Sequence, residues 1–367
     1  MDGRRATRPQ ATDRSATDRR GRPRRARRAP LPPEIARLLD DYLAELSGPD
    51  ADLAREIVTT ALLMGREQVS RLDRKIVNSS LKEMRRAFRV FAPYKGVRKV
   101  SIFGSARTVR GDPEYEAAAE FSRQIAERGW MVITGAGPGI MEAGQEGAGV
   151  ARSFGVNIRL PFEAKPNPVI ANDSKLINFK YFFTRKLTFM KEADAFVLLP
   201  GGFGTMDEAF ELLTLVQTGK SDLYPIVLLD AVDGSYWRAF DRYIRGDLLS
   251  RRLIDPDDVL LYRQARTPAD AVHEIDSFYR VYHSSRMVGE RLILRLTTMP
   301  DPRAVEELST EFADILRGPI EPVGPSRGEI DDRDLPELPR LSLPFDRQHV
   351  GRLRVLVDRL NESGRSP

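Results

Sequence analysis

The chain reads as an α/β protein: a doubly wound parallel sheet preceded by helices and followed by a small α+β appendage. Three observations carry that reading. Between 99 and 229, short apolar runs, of which AFVLL (195–199) has no charge, alternate with helical stretches, the order expected when strands are buried on both faces beneath crossover helices. Three of those runs end in glycine-bearing turns, at Gly104, at 135–139 and at 201–204. Beyond about 285 the pattern changes to strand-like alternation, as in ERLILRLT (290–297).

Taken in order, residues 1–30 hold eleven arginines against Asp2, Asp13 and Asp18, a local charge of +8 that leaves the rest of the chain at −3 within the total of +5. This arm is expected to be a disordered tail. Its composition suits contact with nucleic acid or anionic lipid, and a solvated, non-specific tail is the equal alternative. Residues 31–96 form a helical N-terminal extension: Pro32 and Pro33 open a helix through roughly Leu46, Pro49 and Asp50 restart the chain, and apolar positions recur through Ile57, Leu62, Ile76, Leu81, Met84 and Phe88. Hydrophobic content of 41% and charged content of 30% are those of a soluble globular protein, and the absence of cysteine removes disulfides, thiolate metal sites and cysteine nucleophiles. No apolar run approaches a membrane span, so a cytoplasmic protein with no membrane partner is expected.

The sheet domain is expected over 97–285. VSIF (100–103) is its first strand and ends in Gly104, Ser105, Ala106 and Arg107, followed by a helix from about Pro113 to Arg128. The second strand, Trp130 to Thr134, ends in GAGPGIMEAG (135–144), and the third runs from Gly155 to Leu160 and Pro161. A loop near Asn172 leads to a helix carrying Phe182, Phe183, Arg185 and Lys186. AFVLL (195–199) is the fourth strand and Pro225 to Leu229 the fifth. In a strand order of 3-2-1-4-5, strands one and four are neighbours where the order reverses, and ligands bind beyond their carboxyl ends. All three glycine turns would meet there, as a Rossmann-like nucleotide fold requires.

PGGFGTMDE (200–208) is the stretch with the most chemistry. Three glycines let the backbone turn tightly and approach a ligand, while the free N–H groups of the following helix make an anion site. The same residues admit a plainer reading, since Thr205 and Glu208 match the T-x-x-E capping box. Two common nucleotide motifs fail. The dinucleotide fingerprint would need a glycine where Ile140 stands, and the P-loop glycine required ahead of Gly219, Lys220 and Ser221 falls on Thr214.

Taken together, FGSAR (103–107), GAGPGIMEA (135–143), TRK (184–186) and PGGFGTMDE resemble the Lonely Guy (LOG) family, long labelled lysine decarboxylase, over roughly residues 97–265. The resemblance implies a phosphoribohydrolase that cleaves the N-glycosidic bond of a nucleoside 5′-monophosphate, AMP or a cytokinin-type N6-modified AMP, to free base and ribose 5-phosphate. It places Arg185 and Glu208 on the family's catalytic arginine and glutamate. Substrate contacts are expected from Gly104, Ser105, Gly135, Gly137, Gly139, Met141, Lys186, Gly201, Gly202, Gly204 and Thr205, with no cofactor and no metal. Phe182 and Phe183 depart from the Met and His that many members carry before T-R-K, which bears on the base accepted.

The chemistry stands apart from the name. Breaking a ribosyl C–N bond passes through an oxocarbenium-like transition state, which a carboxylate such as Glu208 stabilises beside C1′. Arg185 offers a planar fork of donors to a phosphate, which Lys186 cannot match bidentately. Asp173 and Glu142 are candidates by position for the acid that protonates the leaving base, whereas His273, His283 and His349 lie outside the motifs. A non-catalytic nucleotide sensor of the same fold is the alternative. Residues 286–367 form the α+β appendage, and a homodimer or higher homo-oligomer is the expected assembly.

Overall fold

The computed structural model describes residues 32–44, 48–159 and 165–363. The arginine-rich arm, and Leu46, Leu160 and Pro161 at the ends of two expected elements, lie outside the described residues. The chain divides into two compact units, 1–76 and 77–367.

In the first unit, helices α1 (Pro33–Tyr42) and α2 (Gly48–Arg66) precede the opening of α3 (Arg71–Phe91). Arg74 donates to the carbonyls of Met64 at 3.3 Å and Glu67 at 3.0 Å, which satisfies acceptors that the end of α2 leaves unpaired. Ser70 and Asp73 cap α3 reciprocally, each side chain accepting from the other's main-chain N–H.

The second unit holds a seven-stranded sheet of β1 (Lys99–Phe103), β2 (Met131–Thr134), β3 (Ser153–Ile158), β4 (Leu176–Phe179), β5 (Ala195–Leu198), β6 (Ile226–Leu229) and β7 (Tyr262–Ala265). Its order is β4-β3-β2-β1-β5-β6-β7 and all its pairings are parallel. The helices between them are α4 (Pro113–Glu127), α5 (Ile140–Ala148), α6 (Phe182–Glu192), α7 (Phe203–Gln217), α8 (Tyr236–Tyr243) and α9 (Pro268–Phe278). Successive strand residues point to opposite faces, and the packing follows that period. Ile133, Val156, Phe196, Leu198 and Leu228 join Phe189 of α6 and Leu212 of α7 in one apolar cluster. Val100, Ile102, Val132, Val197 and Val227 join Phe121 of α4, Ala143 of α5 and Ile275 of α9 in the other. Each fully buried phenylalanine contributes roughly 1.5–3 kcal/mol relative to exposure.

The expected 3-2-1-4-5 order is present as β3-β2-β1-β5-β6, and two strands extend it. β4 occupies part of what reads as loop near Asn172, because a single four-residue strand, LINF, has too little length to show a period. β7, YRQA, is polar because an edge strand has one open side.

The C-terminal part builds a second, antiparallel sheet in the order β10-β11-β9-β8, from β8 (Tyr282–Val288), β9 (Arg291–Leu296), β10 (Glu321–Val323) and β11 (Arg340–Leu343), with helices α10 (Pro302–Glu311), α11 (Arg327–Asp331) and α12 (Val350–Ser363). β8 runs through residue 285, the boundary expected from composition. Leu294, Leu341, Leu353 and Val357 belong to the same apolar cluster as α6 and α7, so the second sheet shares a core with the first. Among the described residues no helix is long and apolar enough to cross a membrane.

Candidate active site

The strand order reverses between β1 and β5, and Phe103 pairs with Leu198, so Gly104 and Pro200 leave the sheet side by side. Ser105 then ties the turns together through its main chain. Its N–H donates to Pro200 O at 3.0 Å and its carbonyl accepts from Ile140 N at 3.0 Å. Gly139 has φ +69°, and a Cβ there would strike the Ser105 carbonyl, so both backbone conformation and clearance require glycine. At Gly135 a Cβ would collide with the Arg185 guanidinium and the Met141 sulfur, and at Gly137 with Met141 again. Gly104 clears Ile140, Gly201 clears Thr205, and Gly202 and Gly204 face open space.

Helix α7 begins at Phe203, with Gly202 as its N-cap and no side-chain cap. The T-x-x-E capping box is therefore not formed. Three glycines let the helix start two residues ahead of Thr205, which leaves Thr205 and Glu208 inside the helix, both buried. Glu208 also stands in the second turn, where its carboxylate serves no main-chain donor of the first. Its partner is Lys186, whose ammonium also reaches Glu211 at 2.6 Å and Asp207 at 3.0 Å. Burial pushes the Glu208 carboxyl above its ordinary value although Lys186 and Arg185 draw it down. For Lys186, burial favours the neutral amine, but hydrogen bonds to three carboxylates outweigh it and hold the ammonium well above its usual range.

Arg185 lies on α6 with its Nε donating to Val156 O of β3 at 2.9 Å and its guanidinium carbon 5.3 Å from the centroid of the Phe189 ring. The start of α6 is braced by Glu83 of α3, whose carboxylate accepts from Thr184 Oγ1 at 2.6 Å and Lys180 N at 3.1 Å. Arg185, Met141 and the Gly135–Gly139 turn thus touch, and Lys186 joins α6 to Glu208 of α7. Phe182 and Phe183 are about half exposed, and Phe203, the first residue of α7, is 98% exposed. Asp173 accepts from the main-chain N and the Nζ of Lys175, both at 2.7 Å. Burial works to raise that carboxyl, but Lys175 outweighs it and keeps Asp173 ionised, which suits a proton donor poorly.

Sequence reasoning missed the residues that hold the turns from behind. Asn167, buried, donates its N–H to Ala136 O and its Nδ2 to Gly137 O, each at 2.9 Å, and to Gln145 Oε1 at 2.7 Å. Gln145 donates onward to Phe154 O at 3.0 Å. Ala136 sits at φ +61°, a left-handed conformation that costs a non-glycine residue about 1 kcal/mol, and these bonds hold it there. Polar neighbours, Glu146 beside Gln145 and Lys165 near Asn167, gave no sign that either residue is buried, and three of these four bonds go to main-chain carbonyls that no side-chain motif records.

The family model described as possible lysine decarboxylase matches residues 134–275, from the end of β2 into α9. Over this stretch the chain resembles the Lonely Guy (LOG) family. A probable cytokinin riboside 5′-monophosphate phosphoribohydrolase of Oryza sativa is 30% identical over 161 residues, which cover 41% of this chain and 65% of the relative. A cytokinin riboside 5′-monophosphate phosphoribohydrolase of Mycobacterium tuberculosis is 34% identical over 128 residues, covering 34% and 65%. A pyrimidine/purine nucleotide 5′-monophosphate nucleosidase of Escherichia coli is 28% identical over 179 residues, covering 44% and 39%. The chain thus spans 39–65% of the length of these curated relatives. Among solved structures, a molybdenum cofactor binding protein of Rippkaea orientalis is similar at 23% identity and a TM-score of 0.34, over 49% of this chain and 96% of that one. The LOG-like region includes Arg185, Lys186, Glu208 and all of PGGFGTMDE.

Proposed function

We propose that this chain is a nucleoside 5′-monophosphate phosphoribohydrolase that takes AMP or an N6-modified AMP to free base and ribose 5-phosphate. The observation that carries the reading is Glu208, a buried carboxylate on the helix whose uncapped N-terminus lies among the three glycine turns. The relatives' activities point the same way. In the proposed reaction the C1′–N bond breaks with its electron pair passing to the base, which takes up a proton. Water adds to C1′ and gives up a proton. Glu208 stabilises the positive charge that develops on the ribose, and Arg185 holds the phosphate or developing negative charge. The glycine turns, with Ser105, Met141 and Thr205, shape the cradle for the phosphate and sugar, and Lys186 fixes the Glu208 carboxylate.

The partner we propose is a second copy of the chain. Phe182, Phe183 and Leu187 of α6 and Phe203 and Phe210 of α7 are exposed on adjoining helices, the kind of apolar surface that a like subunit covers. Light scattering on the purified chain tests this directly, and a monomer at micromolar concentration refutes it.

Chromatography tests the reaction: the chain is incubated with AMP and N6-modified AMP, and release of free base is expected. No release above a Glu208→Ala control rejects the enzymatic reading. Recovery of a tightly bound nucleotide unchanged favours a sensor of the same fold instead.

A further inference from the structure

We infer that Tyr236 is a positioning residue for phosphate recognition, acting through the Gly201–Gly202 peptide; this rests on the nucleotide reading of the site above. Tyr236 opens α8, beyond the end of β6, and its hydroxyl donates to Gly201 O at 2.6 Å. The bond reaches across 35 residues into the middle of PGGFGT. In a trans peptide the carbonyl of one residue and the N–H of the next point in opposite directions. Drawing the Gly201 oxygen toward Tyr236 therefore turns the Gly202 N–H the other way.

That peptide needs a tether because it lies between two glycines. Neither neighbour has a Cβ to prefer one orientation of the plane, so the peptide has two accessible orientations. In one, the Gly202 N–H is presented alongside the uncapped N–H groups that start α7. In the other, a carbonyl oxygen takes its place and repels an anion. Gly202 is exposed and a Cβ there would meet nothing within 4 Å, so its N–H has room to receive a ligand. Tyr236 is itself held: its ring packs edge-on against buried Trp237, with centroids 4.9 Å apart at 85°, and Trp237 Nε1 donates to Leu229 O at the end of β6 at 3.1 Å. The hydroxyl thus projects from a rigid base.

Tyr236→Phe removes the hydroxyl and keeps the ring packing, so it tests the tether alone. Calorimetry on the full chain compares ribose 5-phosphate, which carries the phosphate and is not turned over, with adenosine, which lacks it. The substitution is expected to weaken ribose 5-phosphate about tenfold, the scale of one charge-assisted hydrogen bond, and to leave adenosine unchanged. Equal weakening of both ligands would mean general damage to the fold and would overturn the inference. Unchanged binding of both would overturn it as well while leaving the nucleotide site standing. If the unsubstituted chain binds neither ligand, the reading of the site fails first, and the role of Tyr236 falls with it.

Discussion

The helix starts on the two sides of this molecule are finished in opposite ways. At α9, α10 and α11, side chains close them: Thr267 accepts from Asp270 N, Asp301 from Arg303 N and Ser326 from Glu329 N. At the glycine turns, α5 and α7 start from Gly139 and Gly202, which have no side chain to offer. Ser105 O takes the first N–H of α5, whereas α7 begins with no side-chain cap. Charges follow the same division. In the second sheet, Glu329 is buried between Arg295 at 2.7 Å and Arg340 at 3.4 Å, each of them buried too. At the site, burial and three crowded carboxylates leave Glu208 raised and Lys186 shared. One region pairs its buried charges with one another, although Arg340 Nε and Arg354 Nη1 find no partner among the described residues, while the other leaves the start of α7 without a side-chain cap.

The largest effect should come from breaking the closed side. Glu329→Ala removes the carboxylate that buried Arg295 and Arg340 share, leaving Arg295 with Asp334 and Arg340 with main-chain carbonyls, and should cost about 3 kcal/mol in urea unfolding. A loss below 1 kcal/mol would show the network to be solvated. Burial works to raise the Glu329 carboxyl, but hydrogen bonds from Ser326 and Arg295 outweigh it and hold it down to about 2. Because the folded value is depressed, its contribution is present above the ordinary carboxylate range and lost as pH falls toward 2. Glu329→Gln should flatten that acid dependence.

Breaking the open side should change turnover instead. Glu208→Gln keeps shape and a hydrogen-bond partner for Lys186 but removes the charge, so turnover should fall about 100-fold or more, while Glu211 and Asp207 still pair Lys186 and hold the stability loss to about 1 kcal/mol. Full activity in the folded variant would end the proposed role of Glu208. A finer comparison concerns pH. The acid limb of kcat/KM should lie above the ordinary glutamate value, since burial raises Glu208, and Lys186→Met should move it higher by removing the charge that draws it down. An unmoved limb would separate Lys186 from catalysis. The smallest effect is at an ordinary cap: Thr267→Ala should cost about 1 kcal/mol and leave turnover alone.

Much of this architecture was legible in residue pattern. The five runs from Val100 to Leu229 are apolar because parallel strands are covered on both faces, and period and composition record that burial. LINF and YRQA escaped because four residues, or an open edge, leave too little of it. At the site, the glycines were read as room for a ligand, and the contact distances show close approach to the protein's own atoms: Gly139 to the Ser105 carbonyl, Gly135 to Arg185 and Met141. The capping reading failed because T-x-x-E is a local pattern, whereas the helix start was decided by the glycines ahead of it. Asn167, Glu83 and Tyr236 were invisible for a common reason. Each acts on a group far along the chain, and nothing in its own neighbourhood announces that target.

The bonds at Ser105 bear on how this edge would look to solvent deuterium. The Ser105 and Ile140 amide hydrogens are already engaged across turns, so their exchange should be slow before any ligand arrives and change little afterwards. Gly202, Phe203 and Gly204 are exposed at the start of α7, and their amide hydrogens should exchange quickly until an anion settles on them. Within about a hundred residues the chain would carry its own standard and its own indicator, and a single labelling time course on the unsubstituted protein would read occupancy without any turnover.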